Sequence, residues 1–274
     1  MLKEIWRYPL KSSGGELVSE TDVQANGLAG DRFWAVVDSQ TGLVASAKRP
    51  GMWGALLTTS ASLNGPDLRV TLPDGQTASS IDSEALDALI SALVGRPVSV
   101  QVAQSIEDPT LERTDPNADL LMEDGDLVLG DVATGALSAA APNGTVFDFA
   151  PIHIVSTATL EALETHTASA GDPRRFRPNL VIDIDGPAFQ ENEWPGQKLS
   201  LGTNLELEVF MASPRCVVPS LAQTGLPRSV STLRTVAALN RIELEGLGVS
   251  SCVGAYARVK QPGTIAVGAH TSLS

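Results

Sequence analysis

The chain has 274 residues, 43% of them hydrophobic and 19% charged, the composition of one large or two small soluble globular domains and not of a disordered or membrane-embedded chain. Nineteen Lys and Arg against 32 Asp and Glu give a formal net charge of −13, which argues against nucleic acid as a partner and requires any anionic ligand to be held by a local group of cations. Two cysteines, Cys216 and Cys252, and 3 histidines are too few for a four-cysteine zinc site, a self-ligated iron–sulfur cluster or a multi-histidine metal centre.

The N-terminus carries Lys3 and Glu4 and lacks the apolar core of a signal peptide, so a cytoplasmic chain is expected. The uncharged runs Pro50 to Pro66 and Val132 to Phe147 are broken by glycine and proline and too short to span a bilayer, so no membrane partner is expected. Short apolar stretches at Leu2–Trp6, Leu17–Val23, Phe33–Val37, Leu56–Thr59, Leu68–Leu72 and Val98–Val102 alternate with turn residues and predict a small antiparallel sheet or barrel. Between the last two, Asp82 or Ser83 caps a helix whose Leu86, Leu89, Ile90, Leu93 and Val94 recur on one face, and Gly95 and Pro97 stop it. The polar stretch from Gln104 to Asp119, with Asp108-Pro109 and Asp115-Pro116, reads as a surface linker and divides the chain into residues 1–110 and 111–274.

In the second half, one helix is expected from Ser156 or Thr157 through Leu160 and Leu163, and another from about Ser229 to Asn240 through Leu233, Val236 and Leu239. Strands are expected at Asn179–Ile184, Leu205–Met211, Ala255–Lys260 and Thr264–Val267. Strands dominate, so the class is β-rich α+β. The phosphate loop, dinucleotide fingerprint, nucleophile elbow, zincin and dithiol signatures are all missing; Asn26-Gly-Leu-Ala-Gly-Asp31 is a glycine loop with nothing to mark it as a phosphate cradle.

What stands out in so acidic a chain is a set of cations beside turn residues: Lys11, Arg32, Lys48 and Arg49, the run Arg174, Arg175 and Arg177, and Arg215. Cys216 follows Arg215. A thiolate beside a guanidinium is a ready nucleophile or soft metal ligand, while a structural cysteine beside a surface arginine has the same spacing, and the residues alone leave both readings open. Cys252 heads an apolar strand and reads as a small core residue. The three guanidiniums ahead of Asn179 could grip an anionic tail or form a salt-bridged loop. His153 lies in an apolar stretch and reads as a hydrogen-bonded core histidine, whereas His166 and His270 look exposed.

Seven segments in order, Tyr8-Pro9-Leu10-Lys11-Ser12, Gly27-Leu28-Ala29-Gly30-Asp31-Arg32-Phe33-Trp34, Asp148-Phe149-Ala150-Pro151-Ile152-His153, Val155 to Leu160, Arg175-Phe176-Arg177-Pro178-Asn179-Leu180-Val181, Arg215-Cys216 and Gln261-Pro262-Gly263-Thr264-Ile265, carry a resemblance that covers nearly the whole chain. It resembles the MOSC-domain proteins with an N-terminal MOSC β-barrel domain, bacterial relatives of the mitochondrial amidoxime-reducing component. The resemblance implies a small N-terminal β-barrel-like domain and a C-terminal MOSC β-barrel domain with packed helices. It also implies a molybdenum cofactor, a Mo-pyranopterin, with Cys216 as catalytic residue and metal ligand. Lys11, Arg32, Ser156, Arg177, Asn179 and Arg215 match the family's cofactor-binding residues. The implied chemistry is reduction of N-hydroxylated or N-oxygenated small molecules, and with too few cysteines for its own cluster the chain would draw electrons from a separate ferredoxin- or flavin-type reductase.

Where relatives often carry an acidic residue after the Arg-Pro-Asn strand, this chain has Gly186-Pro187 and Glu191-Asn192, which leaves a substrate-handling carboxylate lost or moved to Glu191. Read as exposed cations, Lys11 and Arg177 should be removable without unfolding the chain. Three alternatives compete: a carrier of sulfur as a Cys216 persulfide or of cofactor, a pyridoxal-phosphate-binding MOSC module, for which no lysine stands in a convincing Schiff-base setting, and a degenerate binding module. Tungsten would form the same dithiolene chemistry as molybdenum.

Overall fold

The computed structural model of the chain describes residues 1–114, 121–123, 126–128, 131–136 and 141–274. Burial with a period of two builds its main sheet. Along the strand Leu205–Pro214, Leu205, Leu207 and Val209 are buried while Glu206, Glu208 and Phe210 are partly exposed between them, as one-sided packing on a core requires. The sheet has nine strands, in the order Glu16–Val18, Leu2–Arg7, Leu180–Ile182, Ile152–Ser156, Gly248–Gln261, Leu205–Pro214, Lys198–Leu201 and Thr271–Leu273, with Arg241–Leu244 paired to Gly248–Gln261 off that path. All its pairings are antiparallel except that of Ile152–Ser156 with Leu180–Ile182. Those two run parallel and are joined through the helix Thr157–His166, because a parallel pair needs a crossover.

The first strand is thus laid against strands from the second half of the sequence. Leu2 also exchanges backbone hydrogen bonds with Gly268 and Ala269, both 2.8 Å, and Glu20–Gln24 pairs with Gly263–Ala266. The stretch expected as one strand at Leu17–Val23 divides at Ser19 for this reason: its first part belongs to the main sheet and its second to the sheet with Gly263–Ala266. The strand expected at Ala255–Lys260 extends over Gly248–Gln261, since one end pairs with Arg241–Leu244 and the rest with Leu205–Pro214.

A second core gathers most of the first hundred residues. Trp34–Asp38 pairs with Val98–Val102, and Ser60–Asn64, Asp67–Thr71 and Thr77–Ser79 form a meander. The helix Ser83–Val94 lies on them, capped by Asp82, whose Oδ1 accepts from the Ala85 N–H at 3.0 Å, and closed by Gly95 in the left-handed conformation. Leu86 and Ile90 pack with Val36, Trp53, Leu68 and Val70. Leu56–Thr59 is not a strand. It falls in a 3-10 helix, Gly54–Thr58, that continues the turn begun by Pro50, since a short apolar run alone does not distinguish a buried strand from a buried helical turn.

The segment read as a linker also differs. Thr110–Thr114 is a strand paired with Val132–Ala136, and Leu111 packs with Ala35, Val44, Ala103 and Val146; residues 115–119 of that segment lie outside the described ones. The architecture is β-rich α+β. Between the cores the chain crosses at Tyr8 to Gly15: Tyr8 packs with Val155 and Phe176, Leu10 with Val36 and Trp53, and the Lys11 and Gly14 N–H groups donate to the Trp34 and Thr59 carbonyls. Among the described residues no helix is long and apolar enough to cross a membrane.

Candidate active site

At this crossing lies an open cleft, and a concave site at the seam between two packed units is where ligand pockets usually form. Lys11, Arg32, Arg177, Asn179, Arg215 and Cys216, far apart in sequence, all line it, together with Lys48, Asp148, His153, Phe149 and Tyr256. Six Lys and Arg face a single carboxylate among the lining residues. In a chain of net charge −13 that is a strong local inversion of sign.

The thiol owes its place to the end of a strand. Three register shifts interrupt the pairing of Leu205–Pro214 with Gly248–Gln261 before Pro214, and such bulges bend a strand and re-aim the side chains beyond them. Gly254 lies opposite, at φ +76; a Cβ there would meet the Ile154 carbonyl oxygen at 2.2 Å and His153 Nε2 at 2.8 Å, so the close approach of these strands requires glycine. The chain then turns into Val218–Ser220, leaving Cys216 half-buried and free. Arg215 is fixed by its N–H bond to Ser251 at 2.8 Å and by donation to the Phe176 carbonyl and the Tyr256 hydroxyl, each at 3.1 Å, and to Ser213. Cys252 is free, fully buried and packed with Ala212 and Leu244; burial pushes its thiol up to about 11.

The arginine run separates into three roles. Arg174 pairs with Asp172 at 2.6 Å. Arg175 is buried and donates to the Leu221 and Pro227 carbonyls at 2.9 and 2.6 Å, tying its loop together. Arg177 reaches the cleft, bonded to the Ser13 carbonyl at 2.6 Å, and burial lowers its pKa to about 10. Arg32 pairs with buried Asp31. Ser12, Arg32 and Arg177 are three of the five non-glycine residues with left-handed backbone among those described, a conformation that persists only where surrounding structure enforces it.

Lys11 is 3% exposed, and its ammonium donates to the Val146 carbonyl at 2.8 Å and Asp148 at 2.5 Å. A harmless Lys11 truncation is expected only of an exposed side chain, and the structure removes that ground. Burial lowers the Lys11 pKa against the pull of Asp148, yet the ion pair occupies the amine that a Schiff base would need. Asp148 is held well below the usual carboxylate range: burial opposes this, and Lys11 and Lys48 outweigh it. Lys48 is raised, because Asp148, then Cys216 and Tyr256, outweigh its own burial. Phe149 stacks on Tyr256 with centroids 5.2 Å apart, giving the cleft one aromatic wall.

His153 and Asn179 face the cleft but also join strands. His153 Nε2 lies 3.0 Å from the Val253 carbonyl, and burial, followed by Arg215, depresses its pKa well below the ordinary value, so it is neutral at pH 7. The Asn179 amide accepts from the His153 N–H and donates to the Trp6 carbonyl and Asp31. His166 and His270 are exposed.

Ser156 is not on the cleft wall. It caps the helix Thr157–His166, its Oγ accepting from the Thr159 N–H at 3.2 Å. Glu191 is engaged at the same helix end: wholly buried, it accepts from the Ser156 N–H and the Thr159 hydroxyl, both at 2.8 Å. Glu191→Ala should therefore cost about 2–4 kcal/mol by stranding two buried donors, read as a fall in the denaturant midpoint, and Glu191→Gln less; a loss below about 0.5 kcal/mol for alanine would contradict that role. Tyr8, Asp31, Lys48, Asp148, Phe149 and Tyr256 join the site without having been marked as site residues by the sequence. Tyr8, Asp31, Asp148 and Phe149 lie in segments that carried the resemblance and Lys48 among the cations beside turns, while Tyr256 carried no signal beyond its place in an expected strand.

A free thiol just past the end of a strand, in a cleft lined by basic side chains at the seam of two cores, marks the candidate site of this β-rich protein. The chain belongs to the family that joins a MOSC N-terminal beta barrel domain, matched by residues 1–101, to a MOSC domain, matched by residues 141–272. It is similar to the mitochondrial amidoxime reducing component 2 of Homo sapiens, 27% identical over 283 residues that cover 97% of this chain and 81% of the relative. Component 1 of Homo sapiens is 26% identical over 295 residues, covering 97% and 80%. Among solved structures, the YUAD protein from Bacillus subtilis overlays with a TM-score of 0.39 at 10% identity, covering 99% of this chain and 93% of that one.

Proposed function

We propose that the chain is a molybdenum-cofactor oxidoreductase that reduces N-hydroxylated or related N-oxygenated compounds, with Cys216 completing the metal's coordination. The observation that carries the proposal is the donor set of the cleft. Among the described residues no group of three or more His, Cys, Asp or Glu side chains could hold a metal ion, so a bare ion does not fit. A metal delivered on its own anionic chelate asks the protein for one soft donor and for cations around its charges. Cys216 and the surrounding Lys11, Arg32, Arg177 and Arg215 answer that description.

When bound, the cofactor supplies the two-electron chemistry by which an N–OH group becomes N–H with release of water. The chain's own residues do the rest. Arg177 and Arg215 bind and orient the anion from the second half of the sequence, and Lys11 and Arg32 from the first, which is the sense in which we divide the chain at residues 110 and 111. Asn179 holds its strand and Asp31 in place, and Ser156 contributes as the cap of the neighbouring helix. Lys48 keeps a proton at Nζ beside Asp148 and Cys216, and the Phe149 and Tyr256 rings keep water from that side. Electrons come from a separate ferredoxin- or flavin-type protein in this reading.

The names of the relatives support the substrate class. The test is direct: chain purified from a host that makes the cofactor, supplied with chemically reduced methyl viologen, should oxidise two viologen radicals for each benzamidoxime converted to benzamidine. Metal-loaded protein that fails to turn over amidoximes, hydroxylamines and N-oxides alike would contradict the assignment.

A further inference from the structure

We propose that Tyr8 is the positioning residue of the anion cleft, and that its aromatic ring, not its hydroxyl, holds the two guanidiniums of Arg32 and Arg177 in place. The proposal rests on the reading of the cleft as an anion site and adds the element that aims it.

Arg32 lies with its guanidinium carbon 4.6 Å from the Tyr8 ring centroid and Arg177 with its own at 4.3 Å. Two cations on one buried ring is an unusual concentration: an aromatic face is electron-rich, and its attraction for a guanidinium is strongest where water is excluded, as around a residue only 1% exposed. The ring also answers a problem the cleft creates. Gripping one anion with two guanidiniums brings like charges together before the anion arrives, and the shared quadrupole offsets part of that repulsion.

The backbone is arranged to keep this geometry. The Arg32 N–H donates to the Tyr8 carbonyl at 2.7 Å, and the Tyr8 N–H donates to Asp31 Oδ1 at 2.7 Å. Asp31 in turn pairs with Arg32 and accepts from Asn179 at 3.0 Å. Both arginines sit at positive φ, 47 and 56, so their side chains leave the backbone in directions that ordinary conformations do not provide. The Tyr8 hydroxyl takes no part: it is buried without a hydrogen-bond partner among the described residues. Burial also pushes the phenol pKa well up, so no phenolate neutralises the arginines.

The test replaces the ring's electronics while keeping its shape. Tyr8→Phe and a series with phenylalanines of increasing ring fluorination at position 8 are titrated with inorganic phosphate at low salt, and each is followed by thermal unfolding. Tyr8→Phe should bind phosphate within about twofold of wild type. Affinity should then fall stepwise, by tenfold or more across the series, while the unfolding temperature stays level, a pattern that a purely structural role does not produce. Combining the most fluorinated ring with Arg177→Lys should cost less than the two changes summed, because both act through one contact. A flat series with phosphate still bound overturns the role of Tyr8 and leaves the anion site standing. Absence of phosphate binding by the wild-type chain overturns both.

Discussion

Cys216→Ser should abolish amidoxime-dependent viologen oxidation, by more than about a hundredfold, with the unfolding transition displaced by no more than about 2 °C. The two halves of that expectation have separate physical grounds. Changes in residues that merely orient a metal's ligands cost about 10–100-fold, so loss of the one soft donor in the cleft should cost more; oxygen in place of sulfur is a poor match for a soft metal. The fold has little at stake, because the side chain is half-exposed between a strand end and a short turn, and such sites usually contribute within about 0.5 kcal/mol. Retention of more than about a tenth of wild-type turnover would remove Cys216 from the chemistry.

Asp31→Ala should have the opposite signature, a large loss of stability together with loss of anion binding. Its side chain is fully buried and accepts from the Tyr8 N–H and Asn179 while pairing with Arg32. Removing it strands a guanidinium and two neutral donors, and breaking a buried ion pair from one side costs about 3–5 kcal/mol. For a chain of this length that corresponds to about 10 °C in unfolding temperature. Asp31→Asn keeps an acceptor and should lose less. A displacement under about 1 kcal/mol for alanine would show that the Tyr8, Arg32 and Asn179 geometry is held by other contacts.

Much of this framework is legible in the sequence where local chemistry decides. The helix Ser83–Val94 appears with its Asp82 cap and Gly95 stop, and Val98–Val102 with its expected bounds. Elements set by distant partners are harder to read. Leu2–Arg7 shows as a strand, but nothing local says that it pairs with Leu180–Ile182. Leu56–Thr59 fails because an apolar run of four has no period, and the strand at Thr110–Thr114 hides inside polar, proline-flanked sequence because a single residue, Leu111, anchors it.

The site divides along the same line. Cations beside turns in an acidic chain, and a cysteine after an arginine, are visible as types. What residue spacing does not show is how the run divides: Arg174 pairs with Asp172, Arg175 lines the cleft with its guanidinium spent on the Leu221 and Pro227 carbonyls, and Arg177 alone of the three has left-handed backbone. Nor does it show that Lys11 is buried on Asp148, or that Glu191 is spent on a helix end, because both depend on partners 137 and 35 residues away.

The cofactor assignment is tested most directly by the metal and pterin content of the wild-type chain, purified from a host that makes the cofactor. Molybdenum, or tungsten in its place, and released pterin are expected, each near one equivalent per chain. Protein that is folded by circular dichroism and carries neither would contradict the assignment.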